Sequence, residues 1–121
     1  MFVALWEFEV KPGCEKRFLN VHGPAGDWAR LFQSDANYQE TLLLHDPVHP
    51  AIFQTLDFWA SRQAFERFMA AHAAEYKRLD AAGEGLTLRE RKIGWFERVT
   101  QARGEGEQEI SEPDDGLTTF G

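Results

Sequence analysis

Of the side chains in this 121-residue chain that carry protons near neutral pH, His72 and Tyr76 stand four residues apart. Both lie in WASRQAFERFMAAHAAEY, Trp59 to Tyr76. Within it and just beyond, Phe65, Phe68, Met69, His72, Tyr76 and Leu79 recur at spacings of three, four and seven, the stripe of one helix face. A histidine on such a stripe can act as general base and take a phenolic proton. The phenolate left behind is electron-rich enough to pass an electron to O₂ without a cofactor. Tyr76 would then orient the substrate or hold a developing anion. The alternative for His72 is a core-edge histidine bonded to a backbone carbonyl.

Around this pair, Trp28, Trp59, Phe65 and Phe68 are the candidate aromatic walls for a planar substrate, with plain core packing as their alternative. His22 closes a helix beside Gly23-Pro24, where it lines the pocket mouth or favours the helix C-terminus. His45, Asp46 and His49 flank a two-proline loop. They raise a metal reading, but an ordinary polar turn is favoured and no metal is expected. Glu7 and Asp57, on neighbouring strand faces, are expected to pair with Arg98 across the sheet as a structural salt bridge in the dimer interface, with a polar patch near a pocket as the alternative. Cys14 opens a helix without a His partner and reads as inert. The sequence has no G-x-S-x-G, G-x-G-x-x-G or P-loop motif.

Composition limits the classes further. Twenty acidic residues against 13 basic give a formal charge of -7, and the scattered Lys and Arg form no stripe for nucleic acid or an anionic membrane surface. A lone cysteine rules out an internal disulfide and fits a reducing compartment. MFVALWEFEV alternates with acidic residues and lacks a basic flank, so it reads as a strand and not a leader. No apolar run approaches the roughly 18–20 residues of a membrane span. The expectation is a cytoplasmic protein.

The elements that must position these residues follow from the periodicities. Phe2 to Val10 alternates as a strand, and Lys11-Pro12-Gly13 leads into a helix over about Cys14 to His22 with Cys14, Phe18 and Val21 inward. Asp27 is expected to cap a short helix with Trp28, Leu31 and Phe32 inward. Strands follow at Tyr38 to His45 and Ile52 to Trp59, joined by Asp46-Pro47-Val48-His49-Pro50. Ser61 caps the main helix, and Gly83 and Gly85 end it. Thr87-Leu88-Arg89-Glu90 reads as a capping box for one more helical turn, and Ile93 to Val99 as the last strand. The order gives an α+β, ferredoxin-like βαββαβ domain over residues 1–99, with a four-stranded antiparallel sheet.

Both faces of that sheet carry large apolar groups, while the helices suffice for one. A second copy of the sheet is the simplest cover, so a homodimer through the sheet face is expected. Residues 100–121 form an acidic tail with too little apolar surface to fold alone; Ile110, Leu117 or Phe120 are its candidate anchors on a partner.

The strand Phe2 to Val10 with Lys11-Pro12-Gly13, then Trp59-Ala60-Ser61 with Ala64-Phe65, then His72, resembles the antibiotic biosynthesis monooxygenase family of dimeric α/β barrels over about residues 2 to 99. The resemblance implies a cofactor-independent monooxygenase acting on an aromatic or quinol-like molecule. Haem-degrading relatives carry an Asn on the first strand and a Trp and a His on the second long helix. Here Trp6 and Phe68 stand at the first two positions, and His72 sits nearer that aromatic, so haem degradation is disfavoured. The alternative function is a non-catalytic small-ligand-binding or interaction module of the same fold.

Overall fold

The alternating strand β1 (Phe2–Val10) lies inside a sheet completed by β2 (Tyr38–His45), β3 (Ile52–Trp59) and β4 (Thr87–Glu97). The computed structural model describes residues 1–101, and their sheet order is β2-β3-β1-β4, every neighbouring pair antiparallel. Helices α1 (Glu15–His22) and α2 (Asp27–Phe32) connect β1 to β2, and α3 (Arg62–Ala71) and α4 (Ala73–Gly83) connect β3 to β4. The fold is the expected ferredoxin-like α+β arrangement. No helix among the described residues is long and apolar enough to cross a membrane. Ile110, Leu117 and Phe120, the expected tail anchors, lie outside the described residues.

Strand parity separates the two faces. Phe2, Ala4, Phe8 and Val10 join Phe18, Phe32, Phe53, Trp59, Phe65 and Phe68 in two clusters beneath the helices. Burying aromatics of this size contributes about 1.5–3 kcal/mol each. The opposite face carries Val3, Leu5, Leu56 and Phe58 across β1 and β3, flanked by Leu42 on β2 and Phe96 on β4. Leu42, Leu44 and Phe96 are all 40% exposed or more.

Local sequence accounts for most boundaries. Ser61 accepts a hydrogen bond from the Ala64 N–H at 3.1 Å and starts α3 as expected. Asp27, expected as a cap, is instead the first helical residue of α2; Gly26 holds the cap position. A Cβ at Gly26 would lie 2.8 Å from the Val21 carbonyl oxygen and 2.9 Å from that of Asn20. Because both obstacles are backbone, we expect Gly26→Ala to cost about 1–3 kcal/mol, measurable by urea unfolding; an unchanged midpoint would show that the α1–α2 corner yields.

Three further expectations need correction. The long helix is broken at His72 (φ -116°, ψ 34°). There the Phe68 carbonyl accepts both the His72 backbone N–H at 3.0 Å and its ring Nδ1 at 3.1 Å. The capping box is not helical: the extra turn is the 3₁₀ segment Glu84–Leu86, and Thr87 already begins β4. The neighbouring strand β1 offers backbone partners from Val10 inward, and sheet pairing outweighs the local signal. Third, Glu7 and Asp57 do not share Arg98. Glu7 lies on the outer face with Arg91 at 2.9 Å and Gln54 at 3.0 Å, Asp57 faces the helices, and Arg98 sits over the Phe58 ring.

Candidate functional site

Between sheet and helices lies a cavity of about 760 Å³, large enough for a polycyclic small molecule. Its floor is the helix-facing row of the sheet, including Trp6, Thr55, Asp57 and Trp95; α2, α3 and α4 contribute Trp28, Phe65, Met69 and Tyr76 to the roof. Lys77, Asp80, Glu90 and Lys92 also line it and are exposed, forming its open side. Trp6 and Trp95 meet nearly edge to face at 6.3 Å, and Trp95 stands 5.3 Å from Phe65. These ring planes make an apolar slot suited to a flat ligand.

One carboxyl is set into this slot. Asp57 on β3 lies across from Thr41 on β2 and Ala4 on β1, two strands from the charged residues of β4. The Thr41 hydroxyl donates to Asp57 Oδ1 at 2.6 Å, and the Tyr38 hydroxyl lies 2.7 Å from the Thr41 oxygen. Thr41 has one proton to give and Asp57 receives it, so Tyr38 is the donor in the second bond. Although it is open to the cavity, protein around the carboxyl desolvates it and pushes its pKa up to about 6, against the weaker opposing effect of Thr41. Asp57 is therefore poised to exchange a proton near neutrality.

Two further groups titrate unusually here. His22 packs against the rings of Phe8 and Phe18, at 4.6 and 4.7 Å, and those two rings also touch each other at 5.1 Å. Desolvation lowers its pKa to about 4, outweighing the attraction of Asp27, so the ring is neutral at physiological pH. Tyr76 packs edge-on to Trp28 at 5.1 Å. Burial first, then the charges of Asp80 and Glu90, raises its phenol pKa and keeps it a hydrogen-bond donor.

The structure thus gathers Trp28, Phe65, His22 and Tyr76 around one cavity. The other three candidates stand apart. Trp59 and Phe68 belong to the core behind the wall, where Trp59 is 0% exposed and packs on Phe32, Tyr38 and Phe65. Its indole N–H has no partner among the described residues. His72 does not line the cavity. Its ring stacks on Phe68 at 4.1 Å and its Nδ1 donates to the Phe68 carbonyl. At the far end of the sheet, Asp46 accepts the N–H groups of Val48 and His49, and His45 Nε2 donates to the Pro50 carbonyl at 2.7 Å. Those contacts build a turn.

Asp57, Trp6 and Trp95 were not among the sequence candidates. Asp57 had a readable signal: it shares the odd-numbered face of β3 with Phe53, Thr55 and Trp59, so a carboxylate there faces the helices. Trp95 had none, because its facing depends on the bulge at Ile93 in β4.

No family model matches the chain, and no curated protein matches it. Solved structures do. A protein of Deinococcus radiodurans, provisionally described as an antibiotic biosynthesis monooxygenase, aligns at a TM-score of 0.63 with 16% identity, over 88% of this chain and all of that one. SnoaB, a cofactor-independent oxygenase from Streptomyces nogalater, aligns at 0.63 with 19% identity, over 86% of this chain and 97% of that one. A conserved protein of Methanosarcina mazei aligns at 0.62 with 13% identity, over 81% and 92%. The chain has an antibiotic biosynthesis monooxygenase-like fold. At these identities the likeness is one of fold, and function rests on the site.

Proposed function

We propose that the protein is a cofactor-independent monooxygenase acting on a planar phenolic or quinol-like molecule, with Asp57 as the base. The observation that carries this reading is the desolvated Asp57 carboxyl on the floor of an aromatic slot, away from the exposed Asp80 and Glu90 of the rim. The resemblance to SnoaB supports the same class. In this scheme Asp57 takes a phenolic proton, and Trp6, Trp28, Trp95 and Phe65 hold the ring plane. Tyr76 donates to a substrate oxygen. An activated ring methylene then receives one oxygen of O₂ as a carbonyl, and the other leaves as water with the two methylene hydrogens.

Oxygen uptake with a panel of hydroquinones and anthrone-type phenols tests it. Asp57→Asn is expected to lower turnover by about 10²-fold or more, the usual worth of a positioned base, while His72→Ala stays near wild type. The reverse pattern would return the base role to His72 and sink our assignment. The second reading, a binding module without turnover, is favoured by His72 being off the cavity with a ring nitrogen satisfied by protein. It predicts ligand binding, seen as quenching of tryptophan fluorescence, with no oxygen consumed.

The outer sheet face supports a homodimer. Leu42, Leu44 and Phe96 are exposed beside Leu5, Leu56 and Phe58, an apolar strip that water covers poorly. Leu44→Glu is expected to shift the protein to monomers in sedimentation velocity; a wild type that sediments as a monomer would remove this reading.

A further inference from the structure

Behind Asp57, on the side away from the open rim, lies a second and smaller cleft of about 280 Å³ lined by Pro24, Gln33, Tyr38, Gln39, Glu40 and Thr41. Tyr38 and Thr41 belong to this cleft and not to the aromatic cavity, while Asp57 belongs to the cavity and not to the cleft. The 2.6 and 2.7 Å hydrogen bonds join the two spaces through the sheet edge. The local fold builds this bridge. The β2–β3 register shifts between Tyr38 and Glu40, leaving Gln39 as an extra residue. Tyr38 and Thr41, three apart, therefore both face the helices beside Trp59 and Asp57. The Tyr38 ring packs against the Phe32–Trp59 pair, at 5.4 Å from each, and the bond to Thr41 holds its hydroxyl in place.

We infer that Thr41 and Tyr38 are positioning residues that carry the substrate's proton from Asp57 to the water-facing cleft, so that the base is reset while the cavity is still occupied. The inference rests on the reading of Asp57 as base. A flat substrate in the slot separates Asp57 from the rim at β4 and α4, so a proton taken from it needs another way out. Three transfers complete the path. The Asp57 carboxyl proton passes to the Thr41 oxygen as the Thr41 proton passes to the Tyr38 oxygen, and the Tyr38 proton leaves to water in the cleft. Each hydroxyl gains one proton and loses one, and its remaining proton then points toward Asp57. That is the donor order found: Tyr38 to Thr41 to Asp57. The hydroxyls rotate back before the next cycle.

The test mixes the full-length protein with 4-nitrophenol in a stopped-flow instrument, following the phenolate absorbance and, with an indicator dye, the proton released to bulk water. In the wild type both signals are expected to rise together. In Tyr38→Phe the phenolate should form at the wild-type rate while proton release lags by about tenfold or more. This variant leaves the Thr41–Asp57 bond in place, so a lag reports the path and not a change in the base. Thr41→Val should show the same lag and Thr41→Ser should abolish it, a rescue that a merely structural threonine would not give. Proton release at the wild-type rate in both Tyr38→Phe and Thr41→Val would overturn the relay while leaving the base intact. A wild type that forms no nitrophenolate would overturn the base, and the relay with it.

Discussion

Asp57→Asn is expected to make the protein more stable at pH 8, by up to about 3 kcal/mol, while removing its proposed activity. The folded carboxyl has its pKa raised from an ordinary 3.8 to about 6, and each unit corresponds to about 1.4 kcal/mol. Because the folded state holds this proton more tightly than the unfolded chain, ionisation penalises folding. Below pH 3.8 both states are protonated and the penalty is absent. It grows as pH rises and is complete above about pH 6. Asparagine keeps an oxygen for the Thr41 hydroxyl and carries no charge, so it escapes the penalty. Urea unfolding of both proteins at pH 8, 6 and 4 checks the sign: the gap should close toward pH 4. A variant less stable than wild type at pH 8 would mean that the carboxylate is better solvated than its surroundings indicate. A site residue that costs stability is a common mark of function.

His22 should act in the opposite direction with similar size. Burial against Phe8 and Phe18 depresses its pKa from 6.5 to about 4, so the folded state resists protonation while the unfolded chain accepts it. Stability from this group is fully present above pH 6.5 and is lost as pH falls toward 4, by up to about 3 kcal/mol. Over the same window Asp57 gains its proton and relieves the sheet. Glu90, raised by burial and by Asp80 and Glu84, adds to that relief. In the wild type the two cavity groups therefore offset one another, giving a nearly level thermal-stability profile between pH 6 and 4. Asp57→Asn should expose the His22 loss as a steep acid limb. His22→Leu should flatten that limb whatever it does to stability at pH 8. Parallel profiles for wild type and Asp57→Asn would refute the opposition.

The architecture was legible in the sequence because it rests on long patterns. The parity of β1 and β3 assigns their faces, and the stripe Phe65, Phe68, Met69 defines the face of α3. The site was legible where a residue lies on a regular element: Trp28, Phe65 and Tyr76 follow helical spacing into the cavity. It was not legible where geometry departs from period. The break at His72 turns its ring onto Phe68, which no apolar spacing announces. Trp59 and Phe68 have the right spacing for a wall but lie one layer too deep, a distinction set by tertiary packing. The expected dimer-interface pair with Arg98 fails for Asp57 because its strand parity, opposite Ala4, points inward.

The register of β4 has a wider consequence. Leu5 pairs with Gly94 and Trp6 with Lys92, so Ile93 is an extra residue between them. Past an earlier shift at Leu88, the strand behaves as a message read in two frames: Arg89 to Lys92 in one, from Gly94 onward in the other. Only in the second frame does Trp95 enter the slot, with the Lys92 ammonium 4.3 Å from its ring centre, while Phe96 joins the outer face. Read in a single frame, the two aromatics would exchange places. One residue of strand length thus governs both the aromatic slot and the exposed outer face of the sheet. Insertions or deletions here cannot alter the slot and the outer face separately, and variation at this point in β4 would change the proposed binding and assembly together.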